Sequence, residues 1–270
     1  FVNRHSSNIN SFHAYDYIIC WVVMSSTYYI LCNIAGSVKL KDLIGFNLTF
    51  AIGAVIMIMA LVFVLSLRIR FQRIKKFHFS FDSIIAKEAL IPAVLLLFLS
   101  VSFFAITSFI AIYGKGSIGS DIGYFFTVSA VTLLFTRPLI GKFADKYGHI
   151  KVMIPTMISF AVSLIIISFS SSLPMFLIAA FFNAFGYGAC QPAIQSLCMK
   201  RVPKDKRGAG SGTSYIGTDL GSLAGPVIAG SIAGQLGYAA MWRIMTIPII
   251  IAAILVFIFR RNISSQGNDG

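Results

Sequence analysis

The segment Gly141-Lys-Phe-Ala-Asp-Lys-Tyr-Gly-His-Ile-Lys151 lies between two long apolar runs of the chain. Two glycines bracket its centre, three lysines make it basic, and Asp145 is its one acid. Glycine allows the backbone conformations that a sharp turn requires. The pattern therefore predicts a tight, basic loop that joins two membrane-spanning helices.

The composition around this loop places the chain in a membrane. Hydrophobic residues make up 57% of the sequence and charged residues 11%, with 25 Phe against nine acids. A helix needs roughly 20 apolar residues to cross a bilayer, and uncharged runs of that length occur at 45–67, 89–113 and 152–199. The last run is long enough for two helices, and Pro174 is suited to begin the second. Because backbone groups in lipid must be bonded internally, these runs are predicted to be helices.

The predicted fold class is an all-α membrane protein, a polytopic helical bundle. A compact set of six helices is predicted over 89–260, preceded by a helix at 45–67 and a basic cytoplasmic linker at 68–88. Residues 1–44 form an atypical N-terminal segment with a further candidate membrane helix at 17–38, and residues 261–270 form a cytoplasmic tail. Residue 1 is Phe, which indicates a sequence that begins inside a longer protein. The six predicted spans of the bundle are 89–113, 121–141, 152–170, 174–198, 211–233 and 239–260.

Basic residues are concentrated on one predicted side of the membrane. The chain has 22 Lys and Arg against nine Asp and Glu, a formal net charge of +13. Most of the basic residues fall in 68–87, 137–151, 200–207 and 260–261. Because an excess of Lys and Arg marks cytoplasmic loops, we expect a multi-pass protein of the cell membrane with its basic loops and C-terminus in the cytoplasm. A nucleic-acid interface would need groove-reading elements beside the charge, and the sequence shows none.

The sequence shows no residue pattern that is typical of an enzyme active site. The four cysteines lie in apolar stretches without metal-ligand spacing, and the four histidines are scattered. A polytopic membrane enzyme would need clustered acids, histidines or a nucleophile at the interface. No catalytic residue, metal site or cofactor is predicted.

The segment Gly141–Lys151 resembles the G-x-x-x-D-x-x-G-basic loop of the major facilitator superfamily of transporters. In that family the loop joins the second and third helices of each six-helix half and gates alternating access. The sequence departs from the family at His149 and Ile150, where one or two basic residues usually follow the glycine. The matching gating-loop residues are Gly141, Asp145, Lys146, Gly148 and Lys151.

The resemblance implies a secondary transporter of twelve helices in two halves that rock around a midplane site. This chain would supply the last helix of one half, the linker and the whole C-terminal half. The implied partners are a missing N-terminal transporter half, the lipid bilayer and a small-molecule substrate. Near the cytoplasmic end of its helix, Arg137 is interpreted either as a topology anchor or as a partner of Asp145 or of an acid on a neighbouring helix.

Small residues recur along the predicted span 211–233. Their spacing brings them to one helix face and favours close helix packing, while a proline adds a bend. This resembles the Gly-Pro helix of proton-driven exporters in the superfamily, although any tightly packed membrane helix has such a stripe. The residues are Gly217, Gly221, Gly225, Pro226 and Gly230.

Within the same helix, Asp219 is the only acid between Gly208 and Met241. Ionisable residues inside a membrane are costly and indicate function by default. Two roles stay open for Asp219: titration in proton coupling, or a static pair with Arg137 or the cytoplasmic loop.

Polar residues recur every four positions along the predicted span 174–198, and so lie near one helix face. The resemblance makes this span the fourth helix of its half, which with the first helix lines the central cavity. Interhelical hydrogen bonding is the alternative for the polar stripe. The cavity candidates are Asn183, Tyr187, Gln191 and Gln195, together with Phe104 and Thr107 on the first helix.

The function that this resemblance implies is proton-coupled efflux of small amphipathic compounds or drugs by a secondary active transporter, with a proton gradient in place of a cofactor. The first alternative is a truncated, transport-inactive remnant of such a transporter. The second, which the sequence favours less, is a polytopic membrane enzyme.

Overall fold

The computed structural model describes residues 86–264 except 204 and 205, and six positions between 51 and 62. Side chains are described for these residues except Asp145 and 260–264. The predictions for 1–44, for the linker at 68–85 and for the tail at 265–270 lie outside the described residues. The chain divides into two compact units, Phe1–Lys75 and Lys76–Gly270. In the first unit, the described positions 51, 54, 55, 58, 59 and 62 are helical with exposed side chains.

The second unit is built from six long α-helices, and its described residues contain no β-strand. The all-α prediction is confirmed. Short 3-10 turns at Lys87–Ala89 and Gly119–Ile122 precede the first and second of these helices. The helices are α1 (Leu90–Ile118), α2 (Gly123–Tyr147), α3 (His149–Phe169), α4 (Leu173–Arg201), α5 (Arg207–Ile244) and α6 (Thr246–Ser264).

Four continuous helical stretches in the described part of the chain are long and apolar enough to cross a membrane. They are Lys87–Ala144, His149–Phe169, Leu173–Arg201 and Arg207–Phe259. The first has 58 residues and the last 53, whereas a membrane helix needs roughly 20. Each of these two therefore contains a pair of helices, α1 with α2 and α5 with α6.

All of the six helices except α3 end beyond their predicted spans, whereas α6 begins at Thr246, seven residues after its predicted start at 239. The extension is largest in α2, which continues to Tyr147, and in α5, which continues to Ile244. Lys142 ended the predicted span of α2, yet Lys is a good helix former and its long side chain reaches water from a helix end. Inside α5 the helical geometry is interrupted once, at Gly237, where φ is 78°.

The core lies between α1, α3, α4, α5 and α6. Large side chains from α1 and α3 are fully buried, including Leu96, Leu99, Phe160 and Leu164 at 0% exposure. The most extensive packing pairs α1 with α5 and α3 with α4, and α2 packs mainly on α4. Just before α1, the N–H of Ala86 donates a hydrogen bond to Thr213 Oγ1 at 3.1 Å. This bond joins the start of the bundle to α5.

Candidate functional site

The segment Gly141–Lys151 is mostly helix and not an extended loop. From Gly141 to Tyr147 it completes α2, and α3 begins at His149, so the connection consists of Gly148 alone. Gly148 has φ 89° and ψ 150°, a region that only glycine enters without strain. Its N–H donates to the carbonyl oxygen of Ala144 at 3.0 Å, which ends α2. The predicted tight connection is present, and it is shorter than the sequence indicated because Lys, Phe and Ala are compatible with helix.

The lysines of this segment are exposed to solvent. Lys142, Lys146 and Lys151 are all exposed, and Lys146 Nζ lies 5.2 Å from the centroid of the Tyr147 ring. One turn earlier, Gly141 is exposed within α2 and has no neighbouring atom where a side chain would begin. Arg137 is partly buried on the same helix. The backbone of Asp145 continues α2, and the position of its carboxylate is not described.

The small-residue stripe of α5 lies directly against the backbone of α1. A Cβ on Gly217 would strike the carbonyl oxygen of Ala93, and one on Gly225 would strike that of Val101. Between them, a Cβ on Gly221 would lie 2.7 Å from the oxygen of Leu97, closer than real Cβ contacts. The contacts advance in the same direction along both helices, so α1 and α5 run parallel.

The remaining stripe residues make looser contacts. A Cβ on Gly230 would lie 3.3 Å from the Phe109 ring, a tight but adjustable distance. Pro226 lies within α5 and is partly buried. Close approach of α1 and α5 therefore depends on Gly217, Gly221 and Gly225.

Asp219 lies on the opposite, uncovered face of α5. Its side chain is exposed, and so are its neighbours Leu220 and Leu223 at 50% and 70%. Twelve residues separate it from the start of α5 at Arg207, which corresponds to about 18 Å of helix. Within the described part of the chain, no basic nitrogen lies within 4.0 Å of its carboxylate. The geometry does not join Asp219 to Arg137.

The four polar residues of α4 occupy different environments. Tyr187 is 3% exposed and stacks on Phe103 of α1, with ring centroids 3.8 Å apart and planes at 6°. Its hydroxyl lies 3.4 Å from Ser100 Oγ. Asn183 is 5% exposed, and its Oδ1 has no hydrogen-bond partner among the described residues. Gln191 and Gln195 are partly buried further along the helix.

The two candidates on α1 lie towards its uncovered face. Thr107 is exposed and donates a hydrogen bond from Oγ1 to the oxygen of Phe104 at 3.1 Å. Phe104 is partly buried, and its ring meets that of Phe103 edge to face at 5.5 Å. Phe103 thus joins the α1 candidates to Tyr187 of α4.

An aromatic cluster at the other end of the bundle was missed by the sequence reasoning. Tyr113 of α1 lies 5.9 Å from Phe176, 5.8 Å from Tyr238 and 5.9 Å from Trp242, measured between ring centroids. These residues come from α1, α4 and α5, far apart in sequence. Enrichment of Tyr and Trp at membrane interfaces is the signal that would have indicated them. The cluster lies at the end opposite Gly148 and joins three helices there.

A second connection at that end involves Arg243. Its Nε donates to Ser168 Oγ at 2.9 Å, and its guanidinium lies 4.7 Å from the centroid of the Phe169 ring. Ser168 Oγ in turn donates to the oxygen of Ala239 at 3.0 Å. The end of α3 is thereby joined to the break between α5 and α6.

The described residues bring no three metal-binding side chains together. Their fold and their sites define a multi-pass helical membrane protein with a close-packed glycine interface and an acid on an uncovered helix face. The family model described as Major Facilitator Superfamily matches residues 116–269, more than half of the chain. The chain belongs to the Major Facilitator Superfamily, a family of transporters.

Several relatives are multidrug efflux pumps by name. The multi-drug resistance efflux pump PmrA of Streptococcus pneumoniae is 29% identical over 146 residues, 54% of this chain and 36% of PmrA. The PmrA homolog of Lactococcus lactis is 30% identical over 138 residues, 50% of this chain and 34% of the homolog. The MFS-type transporter YuxJ of Bacillus subtilis is 26% identical over 169 residues, 59% of this chain and 42% of YuxJ. The chain thus matches less than half of the length of each of these relatives.

Proposed function

We propose that this chain forms one six-helix half of a secondary active transporter that exports small amphipathic compounds or drugs in exchange for protons. Two relatives named as multi-drug efflux pumps support the substrate class. In this proposal the protein lies in the cell membrane with its basic loops in the cytoplasm. A second, N-terminal half completes the transporter.

The exposed carboxylate of Asp219 is the observation that carries the coupling proposal. A charge within a membrane helix is costly when it faces lipid, and such residues face a water-filled cavity or the bundle interior. The face of α5 that bears Asp219 is not covered by the described bundle, since Leu220 is 50% and Leu223 70% exposed. We therefore assign this face to the central cavity, where Asp219 binds and releases the coupling proton.

The gate proposal rests on the connection at Gly148. A one-residue link keeps the end of α2 next to the start of α3. The exposed side chains of Lys142, Lys146 and Lys151 surround this link. In the proposal, Asp145 and Arg137 complete a charged latch against the other half in one of the two transport states.

Efflux by the full-length protein in everted membrane vesicles tests the function. A fluorescent lipophilic cation such as ethidium is added after an inward-acidic proton gradient is formed. Accumulation that a protonophore abolishes supports proton-coupled efflux, with vesicles lacking the protein as the control. Insertion without accumulation of any of a panel of dyes and cationic drugs would favour the inactive remnant.

A further inference from the structure

An apolar groove of about 360 Å³ lies between α2, α3 and α4, beside the Gly148 connection. Its lining contains one charged residue, a lysine, and a second lysine contacts the ring of a lining tyrosine. Lys151 forms part of the lining, and Tyr147 of the lining lies under Lys146 Nζ. The apolar wall consists of Ile140, Phe143, Val152, Pro155 and Phe185.

We propose that this groove binds an anionic phospholipid, with one acyl chain against the apolar wall and the headgroup phosphate between Lys146 and Lys151. The inference is independent of the transported substrate and of the coupling ion. It needs only that the Gly148 end of the bundle lies at the membrane surface, where the exposed lysines meet water.

The distribution of charge selects the lipid over other occupants. Basic pockets between membrane helices bind lipid phosphate groups, and an acyl chain matches a wall without charged side chains. A cationic drug has the wrong charge for this rim. Of the acids whose side chains are described, Glu88, Asp121 and Asp219, none lines the groove.

Two aromatic side chains that line the groove stack on each other. Phe143 and Tyr147 stack with ring centroids 5.9 Å apart and planes at 20°, yet they are 47% and 48% exposed. The stack is therefore half open, and its open side is available to an acyl chain. The Lys146 ammonium over the Tyr147 ring is positioned by a cation–π contact, which places a positive charge at the groove mouth.

Native mass spectrometry of the full chain in mild detergent tests the proposal with dimyristoyl phosphatidylglycerol against dimyristoyl phosphatidylcholine. We expect the wild type to bind phosphatidylglycerol preferentially, and Lys146→Ala with Lys151→Ala to reduce that binding about tenfold. The matched control is Lys87→Ala with Lys206→Ala, which removes the same charge from exposed lysines outside the groove. This control is expected to change binding by less than about twofold.

Three outcomes would overturn the proposal. Equal loss in both double variants would mean that total surface charge, and not the groove, attracts the lipid. Displacement of the lipid by water-soluble glycerol phosphate at equal concentration would mean that the apolar wall contributes nothing. A second copy of the chain, bound in place of lipid and lost in the Lys146/Lys151 variant, would show that the groove is a protein interface.

Discussion

The ring of Tyr187 on α4 stacks on the ring of Phe103 on α1, with 3.8 Å between their centroids and 6° between their planes. The pair joins two helices that are separated by two others along the chain. Phe160 of α3 lies 5.7 Å from the same Tyr187 ring, so three helices meet there. In this conformation the aromatic group of Tyr187 is part of the bundle core.

Removal of the Tyr187 ring is expected to destabilise the bundle. Tyr187→Ala loses the stack and leaves a cavity, at a cost of about 2 kcal/mol or more. Tyr187→Phe keeps the ring and loses the hydroxyl with its long contact to Ser100 Oγ, at roughly 0.5 kcal/mol. Thermal unfolding of both variants in mild detergent measures the difference. Equal destabilisation by the two would show that the hydroxyl, and not the stack, holds the helices.

Addition of one methyl group at Gly221 is expected to separate α1 from α5. The new Cβ would lie 2.6 Å from Ser100 Cβ and 2.7 Å from the oxygen of Leu97, so backbone must move. Gly221→Ala should cost about 1–3 kcal/mol of unfolding free energy. Gly234→Ala is the matched control, because it lies in α5 with no atom within 4 Å of a new Cβ. Equal stability of Gly221→Ala and Gly234→Ala would contradict the close packing of α1 against α5.

Gly141 and Gly148, at the connection between α2 and α3, are expected to respond differently to substitution by alanine. At Gly148 the positive φ of 89° makes any side chain strained, at about 1–3 kcal/mol, although the surrounding space is open. At Gly141 the backbone is helical, so alanine should be neutral or stabilise by up to about 1 kcal/mol. Thermal unfolding of Gly148→Ala and Gly141→Ala checks this. Similar losses in both would contradict a connection made by Gly148 alone.

Substitution of Asp219 is expected to uncouple transport from protons and to leave insertion intact. Asp219→Asn removes the titratable group, so dye efflux driven by a pH gradient should fall at least about tenfold. Asp219→Glu keeps a carboxylate and should retain part of the activity. Asp121→Asn, an equivalent change in the 3-10 turn before α2, serves as the control. Unchanged efflux in Asp219→Asn, at equal amounts of inserted protein, would exclude the coupling role.

The helices at 89–113 and 174–198 were predictable because each of these spans is an uncharged run of sufficient length. Helix ends were less predictable. Lys142 and Lys146 suggest a loop by their charge, whereas their helix propensity and long side chains let α2 continue through them. The positive φ at Gly148 depends on where α3 starts, which charge and hydropathy do not specify.

In the candidate site, sequence spacing predicts which residues share a helix face, but it does not predict which residues of other helices they contact. The stripe of Gly217, Gly221 and Gly225 indicates close packing from its own spacing. Its partner on α1 lies far earlier in the chain, and no local pattern identifies Ala93, Leu97 and Val101 as the contacts. Likewise, the spacing of Tyr187 marks a helix face, but its stack on Phe103 depends on how α1 and α4 pack.

Proton movement caused by an exported substrate tests the central claim most directly. Full-length protein is reconstituted into liposomes that contain a pH-sensitive dye, and a lipophilic cation is added on one side without any imposed gradient. Proton–substrate exchange predicts that the cation drives protons in the opposite direction, and that Asp219→Asn abolishes this flux. Cation transport without proton movement, or proton movement that is unchanged in Asp219→Asn, would contradict the account.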